Sequence, residues 1–302
     1  MPVQILGKQI TGKEIVIAIV FIIVFAVLFN LEYHAFQKEA EKEPVVNLDN
    51  DETNPDYVQI RMQITGIDPV KGDVTLRLNP EPKGKLLGPD EYTVTKDITI
   101  YTNSTTGKSE QNFSKGKRMN PFEMTVDMYD GNVMEYPYDK FHSEMNIYVT
   151  TQEKDSAGNM ATIPVPMVKE TDFYSSIQGY RVLDVKEKNQ EDGYSEIEFN
   201  IQRTASVKMF SRFMMILMWF MTLAVVLVIA SIIIRKRKIE YSMFAFLSAM
   251  LFALPALRNV QPFIPTIGCL SDYVSFFWAE AIVAAGLIVM VFTWLKRPGP
   301  KQ

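Results

Sequence analysis

Apolar runs stand near both ends of the chain, and the long part between them alternates between apolar and polar positions. The apolar segments are 14–32, 207–235, 239–257 and 273–295. Each is long enough, or nearly so, to cross a hydrocarbon layer of roughly 30 Å as a helix. We therefore predict one transmembrane helix before the middle part and three after it.

The middle part repeats with the period of two that is typical of strands with one buried face. Tyr57 to Ile64 and Asp73 to Leu78 show it most clearly, and clusters of Gly, Pro, Asn and Asp separate such stretches. Five more stretches alternate in the same way: 91–102, 122–128, 144–151, 180–187 and 194–202. The predicted fold class is membrane α+β, with an external antiparallel β-sandwich at 57–206 and four transmembrane helices.

Short polar segments complete the predicted domain organisation. Residues 33–56 are charged and poor in bulky apolar side chains, and we interpret them as a tether. We assign 1–13 to a cytoplasmic N-terminus, 258–272 to an external loop and 296–302 to a cytoplasmic tail.

Basic residues next to the spans predict the orientation. Lys8 and Lys13 precede the first span, Arg235 to Lys238 follow the second, and Lys296 and Arg297 follow the fourth. Because cytoplasmic flanks are enriched in Lys and Arg, we predict a multi-pass protein of the cell membrane with both termini cytoplasmic and 33–206 external. The first span has features of a signal peptide, but no small-x-small cleavage site follows it, so we predict a retained anchor.

Composition excludes few functions but favours some over others. The net charge of −4 disfavours a nucleic-acid partner. Cys269 is the only cysteine, so the external domain does not use disulfides, and the only histidines are His34 and His142. No nucleophile, zinc or phosphate-loop motif is present. We therefore expect a non-enzymatic protein without a cofactor or metal, with the lipid bilayer and either a protein partner or further copies of itself as partners.

Two stretches carry a resemblance to a known family. One is Met134 to Phe141, MEYPYDKF, followed by the strand 144–151, and the other is 253–280. With one span, a β-rich domain and three closing spans, the chain resembles the family catalogued as domain of unknown function 4436. Its members are mainly bacterial integral membrane proteins, and the resemblance implies a membrane protein without supplying an activity.

The same residues also resemble those of pentameric ligand-gated ion channels. Tyr136, Pro137, Tyr138 and Asp139 fit the aromatic-Pro-aromatic-Asp motif of the channels' Cys-loop, and Arg203 stands where the last sandwich strand meets the first pore-domain helix. This resemblance implies an oligomeric channel in which these residues couple the external domain to the membrane.

The chain also departs from the channel pattern. Ser143 stands where animal channels have the second loop cysteine, and the spacing of Pro265 and Asp272 differs from that of the channels. Glu240 is the one candidate for a ring of pore charges, with an interfacial charge at a helix start as the alternative interpretation.

The stretch 253–280 raises two further candidates. Its three prolines predict an irregular loop, flanked by Arg258 and Asp272, which would pair with each other, contact the base of the sandwich or face headgroups. Glu280 lies seven residues into the last span, roughly 10 Å of helix rise. It is either an intramembrane charge, with Arg258 as the candidate partner, or an interfacial one beside Trp278.

Three functional hypotheses follow from these features. The first is a multi-pass membrane protein that acts in interaction, sensing or assembly through its external β-domain. The second is an oligomeric channel distantly related to the pentameric ligand-gated class. The third is a membrane-bound enzyme with a carboxylate site, since the many carboxylates include no pair that the sequence singles out.

Overall fold

The computed structural model of the chain describes residues 54–107, 109–154, 159–172 and 177–297, together with scattered positions between 4 and 47. Internal packing divides the chain into two units, 1–42 and 43–302. In the first unit, β1 (Gln4–Ile5) and β2 (Lys8–Gln9) pair antiparallel. Only scattered positions of the predicted first span are described, so the span stays a prediction, and most of the predicted tether lies outside the described residues.

The second unit begins with an 11-stranded sheet. Its strands are β3 (Val46–Asn47), β4 (Val58–Asp68), β5 (Asp73–Pro82), β6 (Ile98–Thr102), β7 (Glu110–Phe113), β8 (Phe122–Tyr129), β9 (Lys140–Lys154), β10 (Met160–Pro164), β11 (Met167–Asp172), β12 (Tyr180–Glu191) and β13 (Tyr194–Arg203). The main order is β12-β13-β9-β8-β5-β4-β11-β3, while β10 and β6 pair with β9, and β7 pairs with β6.

The sheet is mixed, so the prediction of a wholly antiparallel arrangement is wrong at one pair. β11 runs parallel to β4, with Met167 opposite Val58 and Asp172 opposite Gln63. Pro164 and Pro166 have no backbone N–H to donate to a neighbouring strand. At the end of β10 the chain therefore separates from its partner strand β9. It then continues in the same direction along the edge of β4.

The core of this domain follows the alternation seen in the sequence. Inward positions of β4 such as Ile60, Met62 and Ile64 are fully buried, while Arg61 between them is exposed. β5, β9 and β13 repeat this pattern and contribute Leu76, Ile147 and Phe199 among others. The buried face of each strand therefore supplies one continuous apolar cluster.

Three apolar helices follow the sheet: α1 (Ala205–Ile234), α2 (Tyr241–Val260) and α3 (Phe277–Lys296). A π-helical turn, Asp272–Phe276, leads into α3. Each helix is long and apolar enough to cross a membrane. Pro255 lies inside α2, which continues to Val260, so the irregular segment begins at Gln261, later than expected. The proline removes one backbone hydrogen bond, a loss that membrane-spanning helices tolerate.

The helices pack through a small apolar core. Met218 and Val225 of α1, Leu254 of α2 and Val283 of α3 are buried against one another. At Gly286 an added Cβ would lie 2.2 Å from Cδ1 of Ile229, so glycine permits the close approach of α3 to α1.

Candidate functional site at the junction of sheet and helices

The centre of the junction is an ion pair between the last residue of β13 and the residue before β9. Nε of Arg203 lies 3.1 and 3.0 Å from the two carboxylate oxygens of Asp139, and one Nη lies 3.0 Å from Oδ2. Both side chains are almost completely buried. The guanidinium also lies over the rings of Tyr136 and Tyr180, at 5.2 and 4.4 Å from their centroids. Arg203 is thus held by charge and by two aromatic faces at once.

Tyr136 joins the sheet domain to α1 and to the loop after α2. Its ring is fully buried, with Val207 and Cys269 in the same apolar cluster. The phenol oxygen lies 2.6 Å from Oγ of Ser211, and the phenol also donates to the carbonyl of Pro262 at 2.8 Å. A tyrosine is suited to this place because its ring fills the apolar gap while its hydroxyl satisfies two polar partners.

The loop segment 262–265 is held through three of its backbone carbonyls. Tyr136 donates to the carbonyl of Pro262, and Nη1 of Arg203 donates to that of Phe263 at 3.3 Å. Nη2 of Arg258, on α2, donates to the carbonyl of Pro265 at 2.9 Å. Donors from the sheet domain and from the helices therefore fix the same four residues.

Phe263 provides the steric part of the junction. Its φ of +55° is left-handed, which is costly for a bulky residue. Its ring lies 6.1 Å from that of Tyr180 and covers Gly179, where an added Cβ would lie 2.3 Å from the Phe263 ring. Gly179 itself has a φ of +86°, and its carbonyl accepts a bond from the N–H of Thr204, the N-cap of α1.

Arg258 and Asp272 form a second buried pair, which closes the loop on the helix side. Nε of Arg258 donates to Oδ1 of Asp272 at 2.9 Å, and Nη2 donates to Oδ2 at 3.0 Å. The same Oδ2 accepts the backbone N–H groups of Gly268 and Cys269. Of the three partners considered for these residues, the structure shows the pair with each other.

Glu280 does not pair with Arg258, contrary to the expectation for an intramembrane charge. Arg258 is fully engaged by Asp272, by Pro265 and by the Asn259 side chain. Among the described residues, Oε2 of Glu280 is buried and has no hydrogen-bond partner. Trp278 beside it is exposed.

Burial also shifts the pKa values of three ionisable side chains at the junction. It raises the pKa of Tyr136 to about 12, against the opposing effect of the Ser211 hydrogen bond and the Arg203 charge. It raises the pKa of Tyr180 for the same reason. Burial raises the pKa of the Asp139 carboxyl, and the adjacent Arg203 guanidinium opposes that rise.

A polar groove lies on the other side of the same strands. It consists of two adjoining cavities of about 470 and 720 Å³, which share Asp130 and Lys140. Their polar lining residues are Asp130, Asn132, Glu135, Lys140, His142, Asp184, Asn200 and Gln202. Tyr138, predicted to act in the coupling, lines this groove and is 41% exposed, so it lies on the solvent side of the junction.

Inside the groove a short hydrogen-bonded chain holds the side chains. Nδ1 of His142 lies 3.1 Å from Oδ1 of Asn200, whose amide donates to Oδ2 of Asp184 at 3.1 Å. Asp184 and Asp130 both have positive φ, of +53° and +56°. Such strained non-glycine residues occur preferentially at functional sites.

Groove and junction are built from neighbouring residues of the same chain segments. Lys140 faces the groove while Asp139 faces the junction, and Gln202 faces the groove while Arg203 faces the junction. Because successive residues of a strand point to opposite faces, the two sites share the backbone of these segments.

A buried polar cluster elsewhere in the sheet has the elements of a nucleophile site but no access. Nζ of Lys169 on β11 pairs with Glu187 on β12 and lies 3.4 Å from Oγ of Ser195 on β13. Lys169 and Ser195 are fully buried. The cluster joins strands from opposite ends of the strand order, which favours a structural role.

Three carboxylates on the sheet surface come close enough together to hold a cation. They belong to Glu144, Glu196 and Glu198. The ammonium of Lys188 lies 3.7, 2.8 and 3.0 Å from them in that order, so the protein itself supplies the positive charge.

Sequence reasoning identified Tyr136, Asp139 and Arg203 but missed their partners. A serine in an apolar helix was a usable signal for Ser211. No sequence signal marks Phe263 or Gly179. Phe263 acts through its backbone carbonyl, and Gly179 matters because the Phe263 ring occupies the space beside it.

The fold and the junction together define a class: a large mixed β-sheet domain fixed to three helices that have the length and composition of membrane spans. The chain belongs to the family described as Domain of unknown function (DUF4436), whose model matches residues 48–202, and the predicted family is thereby confirmed. Residues 203–297 match the model described as Domain of unknown function (DUF8686), so the two matches meet at Arg203. Neither match supports the resemblance to ligand-gated channels. Comparison with curated proteins finds no match.

Proposed function

We propose that this protein is a non-enzymatic, multi-pass membrane sensor or interaction protein. Its external, sandwich-like β-domain binds a partner at the groove lined by Lys140, His142 and Asp184, and the junction around Arg203 passes the effect to the helices. The observation that supports this proposal most strongly is the loop 262–265, held from one side by Tyr136 and Arg203 and from the other by Arg258.

The build of the junction favours transmission over simple tethering. A flexible linker between β13 and α1 would anchor the domain equally well. Instead only Thr204 separates the two elements, and it is bonded to Gly179. Buried ion pairs and aromatic contacts allow a few discrete arrangements and resist gradual deformation, which is the property that a coupling element needs.

The chain carries a convenient reporter of the helices. Its 3 tryptophans, Trp219, Trp278 and Trp294, all lie in α1 or α3, and the sheet domain has none. Tryptophan emission therefore reports on the helices alone. The native thiol of Cys269 is buried, so an introduced surface cysteine reacts selectively with a bulky thiol reagent.

The test attaches such a label to His142→Cys and records tryptophan emission and hydrogen exchange across 205–234. We expect both to change, and we expect the change to disappear when Arg203→Met is added. The matched control is a label on Asp192→Cys in the exposed β12–β13 turn, about nine residues along β13 and so roughly 30 Å from the junction. Equal responses from both labels, or none from His142→Cys, would refute coupling between groove and helices.

An oligomeric channel is the second candidate, because the residues that carry the channel resemblance, Asp139 and Arg203, do meet at the junction. It predicts a discrete pentamer by light scattering with the detergent contribution subtracted, and current in a planar bilayer. The sensor proposal predicts no current, since the polar residues within the three helices are few and several bond to their own backbone, as Thr222 does to Met218. A monomer or dimer without conductance would remove the channel.

A further inference from the structure

A cavity of about 560 Å³ lies at the end of the helices opposite to the junction. Its wall is apolar, formed by Leu227, Val228, Ile234 and Met243, and its rim carries Arg235 and Arg237. An apolar wall that ends at two guanidinium groups matches the two parts of a phospholipid, its acyl chain and its phosphate.

We propose that this cavity binds one anionic phospholipid from the leaflet at this end of the helices. The phosphate lies between Arg235 and Arg237, and an acyl chain follows the surface of α1 along Leu227 and Val228. Guanidinium groups bind phosphate oxygens through two parallel hydrogen bonds, which a lysine ammonium does not provide.

Both arginines are available for this role. Their side chains are exposed, and among the residues that the structure describes neither has a carboxylate partner. The excess of basic residues at this end also explains orientation in the membrane. Orientation depends only on the charge of these residues, however. It does not explain why Arg235 and Arg237 line a cavity whereas Lys236 and Lys238 do not.

A third arginine keeps the rim in place. Arg297, at the end of α3, donates through Nη2 to the carbonyl of Ile232 at 2.8 Å and through Nη1 to the carbonyl of Arg237. Lys236 adopts a left-handed φ of +51°, which turns the chain between the two cavity arginines. The α1–α2 connection is thus tied to α3, so the two free guanidinium groups start from a fixed backbone.

The alternating basic run offers a matched pair of variants for the test. Arg235→Gln/Arg237→Gln removes the two charges that line the cavity, and Lys236→Gln/Lys238→Gln removes two neighbouring charges that do not. Purified full-length protein in detergent is titrated with phosphatidylglycerol or phosphatidylcholine, and bound lipids are counted by native mass spectrometry. Circular dichroism checks that both variants keep the wild-type fold.

We expect the wild type to retain one phosphatidylglycerol in preference to phosphatidylcholine. We expect the arginine variant to bind it about thirtyfold more weakly, since each of the two basic groups removed contributes about 1 kcal/mol near an anionic surface. The lysine variant should stay within about twofold of wild type. Equal loss in both variants would show diffuse attraction and overturn the proposal. Displacement of the lipid by millimolar inorganic phosphate would also overturn it, in favour of a free-anion site.

Discussion

Arg203 and Asp139 lie 64 positions apart in the chain and face each other across the junction with three nitrogen–oxygen contacts of 3.0 to 3.1 Å. Asp139 directly precedes β9, and Arg203 ends β13, the strand that pairs with β9. The sheet register therefore places the acid beside the base at the point where the chain enters α1. A charge pair in this position stabilises the contact between sheet and helices as well as the sheet itself.

Breaking this pair should cost far more than breaking an exposed one. Arg203→Met leaves the Asp139 carboxylate buried without its partner, and we expect a loss of ~3–5 kcal/mol in the free energy of unfolding. The matched control is Arg61→Met, which removes an exposed pair with Glu170 and should cost less than about 1 kcal/mol. Denaturant unfolding in detergent measures both. A similar small loss in the two variants would show that the junction contributes little to stability.

Gly179 should tolerate no side chain, for a reason that is local to the junction. In Gly179→Ala the new Cβ collides with the Phe263 ring, and the alanine must also adopt a positive φ, which is unfavourable for a residue with a side chain. Gly107→Ala is the matched control, because its φ is +81° but nothing lies within 4 Å of its Cβ. We expect about 1 kcal/mol for the control and clearly more for Gly179→Ala, measured as the change in unfolding free energy. Equal losses would mean that the contact with Phe263 adds nothing beyond the backbone strain.

The junction should weaken at alkaline pH. The pKa of Tyr136 and that of Tyr180 are both above the ordinary value of 10.0, so the folded state holds these protons more tightly than the unfolded state. The associated stability is fully present below about pH 10 and falls as the pH rises through the native pKa, about 12 for Tyr136. The unfolding midpoint between pH 8 and 11.5 measures this.

Tyr136→Phe should flatten that pH dependence, because it removes one of the two phenols responsible. Tyr101→Phe, at an exposed position on β6, serves as the control and should leave the profile unchanged. An identical alkaline decline in wild type and Tyr136→Phe would assign the effect to other groups.

Neutralising the two carboxylates near the start of the last helix should change the free energy of unfolding by very different amounts. The two oxygens of Asp272 accept two guanidinium and two backbone N–H bonds. Asp272→Asn removes the charge and replaces one of these oxygens with an NH2 donor, so we expect a loss of ~3 kcal/mol or more. Glu280→Gln changes a group whose buried Oε2 has no partner among the described residues, so we expect a change within about 1 kcal/mol or a gain. Thermal unfolding in detergent separates the two, and a severe loss for Glu280→Gln would reveal an ionised partner outside the described part of the chain.

Local patterns predicted more of the fold than of the site. Alternation predicts β4, β5 and β13 because burial of one face is a property of each strand by itself, and apolar length predicts α1 to α3. The parallel pairing of β11 with β4 depends on where the chain goes after Pro166, which no local period encodes. At the site, Asp139 and Arg203 are identified through the motif that resembles the channels' Cys-loop and through the position of the arginine at the end of the last strand. The carbonyl of Phe263 and the space over Gly179 exist only after the elements have come together.

The loop 262–265 also has a consequence for how such chains can change over time. Surface connections usually accept insertions and deletions at little cost. Here one added residue would move the later carbonyls by about 3.5 Å along the chain, beyond the reach of a hydrogen bond. The segment is therefore fixed in length although its side chains can vary, and length variants within the family should occur in the sheet-domain turns and not within 262–265.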